Sequence, residues 1–163
     1  MLCVSWHIFP FQHCTRGLPF ADKSFDTVFC CAVLEHALEP WEALSEFRRI
    51  LVPHGIAIVA VPFMENLHDE PYDYYRFTRY GAAHLAKRAG FEVEEIVVNG
   101  GLFHLVLNLP SVVFSSVCEL LGYHGPITPA SRLGLALASG LDRLFRLKEP
   151  FASNYLMVLR NSH

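Results

Sequence analysis

A chain of 163 residues is the size of one ordinary domain and can bury a core without disulfide or metal staples. With 52% hydrophobic and 18% charged residues it is not disordered, and a formal net charge of -3 without a basic block excludes the electrostatic footprint of a nucleic-acid binder. The five cysteines (Cys3, Cys14, Cys30, Cys31 and Cys118) are odd in number and lack a CxxC pair, which points to reduced, buried thiols and a cytoplasmic protein rather than a disulfide framework.

In chain order, Met1 to Gly17 has no basic n-region, and His7, Pro10, Gln12 and His13 interrupt its apolar residues. It is read as an atypical N-terminal segment and not as a secretory signal. Phe25 to Cys31 is a β-branched and aromatic run suited to a parallel strand covered on both faces, with Cys30 and Cys31 pointing to opposite sides. Pro40 fits the first turn of a helix on which Trp41, Leu44, Phe47 and Leu51 recur at spacings of three and four. Val52-Pro53-His54-Gly55 stops that helix, and Ile56 to Val61 is a second buried strand. Strand, helix and strand make a right-handed βαβ unit, so the fold class is α/β with a mostly parallel sheet.

Thr78 is the expected N-cap of a helix through Ala82, Leu85, Ala86 and Ala89, ended by Gly90. Phe91 to Val98 follows as an edge strand whose alternation slips at Glu94-Glu95. Gly101 to Gly122 is strongly apolar with Glu119 as its only charge, but Asn108, Pro110 and three serines interrupt it. It is read as a lid or core-covering pair of short helices, with membrane contact as the alternative. Thr128-Pro129 opens a further helix with Leu133, Leu137, Leu141, Leu144 and Phe145 on one face, and Asn154 to Leu159 is the last strand.

Three motifs carry a resemblance: Leu18-Pro19-Phe20-Ala21-Asp22-Lys23-Ser24-Phe25-Asp26, then Val33-Leu34-Glu35-His36, then Arg49 to Gly55 within Glu46-Phe47-Arg48-Arg49-Ile50-Leu51-Val52-Pro53-His54-Gly55. In this order and spacing they resemble class I S-adenosylmethionine-dependent methyltransferases, in particular the large group acting on small molecules, lipids and glycans. The resemblance implies a partial Rossmann-like sheet. Ser24 to Cys31, Gly55 to Val61, Phe91 to Val98 and Asn154 to Leu159 would be the family's fourth to seventh strands, the last antiparallel. It also implies S-adenosylmethionine as cofactor, bound at the carboxyl ends of the strands.

The family's glycine-rich GxGxG loop and the acidic residue that ends its second strand do not occur in the chain, and Cys14 or Thr15 stands where the family usually has an Asp before its "LPF". The expectation is therefore a truncated carboxy-terminal portion, 18–163, with a helical insertion over about 101–148, inactive as a methyltransferase on its own. Unpaired backbone beside Ser24 to Cys31 would then need a partner chain to complete the sheet. A non-catalytic interaction module pairing through that edge is the alternative to an enzyme.

By resemblance, Cys31, Ala32, Val33 and His36 pass the methionine part of the cofactor, and His36 is the candidate general base. The polar loop Pro62 to Thr78 is the expected acceptor platform, with His68, Tyr72, Asp73, Tyr74, Tyr75 and Arg76 placed to hold a hydroxylated or anionic small molecule or glycan. His68, Asp69, Glu70 and Asp73 fall within one loop without second-shell support, so no metal site is expected.

Overall fold

The computed structural model describes residues 1–4, 17–107, 129–145 and 150–162. Among these, β1 (Leu2–Val4), β2 (Phe25–Cys31), α1 (Pro40–Ile50), β3 (Leu51–Pro62), α2 (Arg79–Arg88), β4 (Phe91–Asn99), α3 (Pro129–Phe145) and β5 (Asn154–Asn161) follow in chain order, with a 3-10 turn at Leu34–His36. The described strands form one sheet in the order β1-β2-β3-β5-β4. β1 and β2, and β2 and β3, run parallel, whereas β5 is antiparallel to β3. This is the α/β fold expected, with the final strand reversed and β4 at one edge.

The expectation of unpaired backbone beside β2 is corrected. Leu2, Cys3 and Val4 pair in parallel with Val28, Phe29 and Cys30, so the N-terminal segment supplies a strand. Its three residues are too short to show a periodicity, and for that reason the sequence concealed it.

α1 forms because Pro40 presets the first turn and Ala43, Leu44, Phe47 and Ile50 follow at helical spacing. These four residues are fully buried, whereas Trp41, expected in the apolar stripe, is exposed. α1 packs on β3, α2 packs on β5, and the two helices touch each other, so they cover the same face. Beneath them lie Val28, Cys30, Ala57, Val59, Met157 and Leu159. Truncating Phe47 to Ala would cost about 3–5 kcal/mol, as for large buried side chains generally. The opposite face of β2 is only half-covered, and Cys31 is exposed. The expectations of a strand buried on both faces and of uniformly buried thiols are corrected accordingly.

Instead of stopping the helix as a separate turn, Val52 to Gly55 belongs to β3 as an extended irregularity. Phe25 pairs with Leu51 and Thr27 with Ile56, so the intervening residues bulge out, with His54 at φ 63°. Gly55 is required there: a Cβ would lie 2.9 Å from the Val52 carbonyl and 3.1 Å from that of Asp26. Buried Asn161 closes the bulge, its Nδ2 lying 3.2 Å from the carbonyls of both Leu51 and Val52. Arg49 explains the first motif. It donates to the carbonyls of Leu18 and Phe20 and to the carboxylates of Glu46 and Asp22, while Glu46 also accepts from the Leu18 amide at 2.8 Å. The turn before β2 is thus clasped to α1.

Thr78 caps α2 as expected, accepting from the Gly81 amide at 3.1 Å, and the burial of β4 changes phase at Glu94-Glu95. The chain divides into two compact units, 1–97 with 154–163, and 98–153. Within the second, residues 102–107 are helical. On α3 the expected leucine face is corrected: Leu137, Leu144 and Phe145 are exposed, whereas Ala138 and Asp142 are buried. The physical reason is that the Asp142 carboxylate receives the amides of Phe103 and His104 at 2.8 and 3.0 Å, capping the helix at 102–107. Of the apolar stretch 101–122, residues 108–122 lie outside the described residues, as do Thr128 and the side chain of Leu133. No helix among the described residues is long and apolar enough to cross a membrane.

Candidate functional site

Two loops leave the carboxyl ends of the neighbouring parallel strands β2 and β3, the position at which open α/β sheets bind ligands. The first begins with exposed Cys31 and turns at Ala32, whose φ of 53° is rare for a residue with a Cβ. Val33 is buried, and Leu34, Glu35 and His36 form the buried 3-10 turn. The second loop, 63–78, folds back over the first. The Glu35 carbonyl accepts the amides of Tyr74 and Tyr75 at 2.9 and 3.2 Å. Tyr75 Oη donates to the Leu38 carbonyl at 2.9 Å.

His36 has no exposed side-chain surface, and its Nδ1 lies 2.9 Å from the Tyr72 carbonyl. A carbonyl can only accept, so Nδ1 carries a proton, and the tautomer compatible with this contact has its lone pair on Nε2. His68 repeats the arrangement, with Nδ1 3.0 Å from the Asn66 carbonyl. The two imidazoles meet edge to face at 4.9 Å. His68 Nε2 lies 3.9 Å from Glu35 Oε1, and His36 Nε2 lies 3.9 Å from Asp69 Oδ2.

Arg76 and Asp73 hold the second loop together. The guanidinium grips both Asp73 oxygens in a fork, at 2.5 and 2.7 Å, and also donates to the carbonyls of Asn66 and Glu65. Arg76 therefore keeps the Asp73 carboxyl well below the usual carboxylate range, helped by the His68 amide at 3.0 Å. Glu35 is shifted the other way. Burial pushes its carboxyl up, against the opposing pull of its own backbone and of His36, His68 and Arg76. Its Oε2 has no hydrogen-bond partner among the described residues.

The residues expected at the site therefore converge, with divided roles. Tyr72 and Tyr74 are exposed, Tyr75 ties the loops together, and Asp73 with Arg76 forms the loop's internal staple. Sequence reasoning missed Glu35, because it read the "LEH" motif for its histidine. The signal was a carboxylate inside an otherwise apolar strand-to-turn segment.

A family profile described as "Methyltransferase domain" matches residues 7–59. A probable S-adenosylmethionine-dependent methyltransferase of Mycolicibacterium smegmatis is 33% identical over 93 residues, covering 53% of this chain and 35% of that protein. Over these residues the chain is similar to S-adenosylmethionine-dependent methyltransferases. It spans between 16% and 35% of the length of the curated relatives it matches. Among solved structures, the [4+2]-cyclase SpnF aligns with a TM-score of 0.58 at 19% identity, covering 90% of this chain and 53% of that one. A chain from the complex of the Haloferax volcanii Trm112 methyltransferase activator with its methyltransferase aligns at 0.53 and 22% identity, covering 90% and 58%. At these identities the likenesses establish the methyltransferase fold alone, and a neighbour that is a cyclase illustrates why. The cofactor of the family is S-adenosylmethionine.

Proposed function

We propose that this chain carries the acceptor side of an S-adenosylmethionine-dependent methyltransferase acting on a hydroxylated or anionic small molecule, such as a glycan. The observation that carries this reading is the junction at Glu35. Its carbonyl binds two successive amides of the second loop, so Cys31 to His36 and the tyrosines at 72 and 74 form one wall at the strand ends. When bound, the cofactor supplies a methyl group already activated as a sulfonium. The protein then has to position the acceptor and exclude water.

The first loop fits the methionine end of such a cofactor. Ala32 and Val33 are small and apolar, and the backbone turns at Ala32 as it leaves β2. The ribose and adenine end is not matched: among the described residues no acidic side chain ends a second strand on the far side of β1. His36, expected as a base, suits a positioning role, since its ring is enclosed and its Nδ1 proton is held by Tyr72. The half-exposed rings of Tyr72 and Tyr74 suit stacking on a sugar face. A partner chain extending the sheet beyond the short β1 belongs to the same reading, in line with the neighbour found in complex with an activator.

Titration calorimetry of the 163-residue chain with S-adenosylmethionine and S-adenosylhomocysteine tests the proposal. Saturable binding of both is expected, and absence of heat at millimolar ligand overturns it. Exchange of a labelled methyl group onto a glycan library then identifies the acceptor.

A further inference from the structure

We propose that Glu35, His36 and His68 form a binding site for one divalent first-row metal ion, with Zn²⁺ as its representative. One donor atom from each of the three residues lies within 4.8 Å of the others. Ligands of a tetrahedral zinc ion stand about 3.4 Å apart, given Zn–N bonds of about 2.1 Å. The 3.9 Å between His68 Nε2 and Glu35 Oε1 therefore needs to close by about half an ångström, and the widest pair, within 4.8 Å, by up to about 1.4 Å.

The outer contacts match what metal-binding histidines require. Each ring gives its Nδ1 proton to a backbone carbonyl, of Tyr72 for His36 and of Asn66 for His68, which fixes the tautomer that presents Nε2 as a ligand. The carboxylate is the independent observation. Glu35 is 1% exposed, and its Oε2 finds no hydrogen-bond donor among the described residues, an arrangement that costs stability unless a cation or proton occupies it. Two imidazoles and one carboxylate with a further position open is the donor set of a catalytic zinc site. Asp69, 3.9 Å from His36 Nε2, stands where a fourth ligand or an acceptor group would enter. The expectation of no metal rested on the residues of the second loop alone. Two of the three ligands come instead from the turn after β2.

An ion here would bind an acceptor hydroxyl or carboxylate in its open position and lower the hydroxyl pKa, without needing a neutral histidine base. The site does not depend on the methyl-transfer reading, and ion binding is measured without cofactor.

The test is metal loading of the full chain. Dialysis against Zn²⁺ followed by elemental analysis is expected to give one ion per chain. Co²⁺ in its place is expected to give the intense visible bands of four- or five-coordinate nitrogen and oxygen ligation. His68→Ala and Glu35→Gln should each weaken Zn²⁺ binding by at least about 10–100-fold, with the His68→Ala far-ultraviolet dichroism unchanged. X-ray absorption of the zinc-loaded wild-type chain requires no variant, and is expected to show two imidazoles and no sulfur. Sulfur ligation, substoichiometric loading, or unchanged affinity in His68→Ala would each overturn the proposal.

Discussion

Replacing Arg49 by Ala removes the clasp between α1 and the turn before β2. The guanidinium donates to the Phe20 and Leu18 carbonyls at 2.9 and 3.1 Å, bonds worth about 1 kcal/mol each. Its fork to Glu46, at 2.9 and 2.8 Å, adds about 0.5–1 kcal/mol. The pair with Asp22, whose side chain is 71% exposed, adds almost nothing after screening by solvent. The sum is about 2–3 kcal/mol, or a fall in Tm of about 5–10 °C for a chain of this size. Arg49→Lys should recover no more than about half, because an ammonium cannot span both carbonyls and the carboxylate. Urea and thermal denaturation followed by circular dichroism measure both variants. Arg49→Ala within about 0.5 kcal/mol of wild type, or a fully stable Arg49→Lys, would refute this account of the motif.

Arg49 depresses the Glu46 carboxyl below its ordinary 4.5, so this group's stabilisation is fully present above that pH and lost as pH falls through the lowered value. Glu46→Gln should therefore be less stable than wild type at neutral pH, with the gap narrowing below pH 4.5 in denaturant titrations. Asp142→Ala leaves the Phe103 and His104 amides uncapped and should cost about 1–2 kcal/mol, read as faster amide exchange over 101–107. Cys31 is exposed and Cys30 buried, so iodoacetamide should label Cys31 before Cys30, as measured by peptide mass spectrometry. Equal rates would contradict the burial of β2. If the cofactor binds as proposed, S-adenosylhomocysteine should slow the labelling of Cys31.

Local pattern was enough to place β2, α1, α2, β4 and β5 to within a residue or two, since each presents a periodicity or a cap of its own, such as Thr78 before Arg79–Arg88. The order of the "LPF", "LEH" and "R-x-L-x-P-x-G" motifs was likewise enough to indicate the similarity to methyltransferases, because those residues are tied to one another. Arg49 binds the first motif, and Gly55 lets the backbone of Asp26 approach. Tertiary structure decided what depends on pairing between distant segments. β1 exists through its hydrogen bonds to β2, and Val52 to Gly55 is strand rather than helix stop because Asn161 and β2 hold it there. Glu35, His36 and His68 meet only because the loops after β2 and β3 are joined at the Glu35 carbonyl. No spacing within either loop encodes that contact: adjacent parallel strands place their carboxyl ends side by side in space while leaving them some thirty residues apart in the chain.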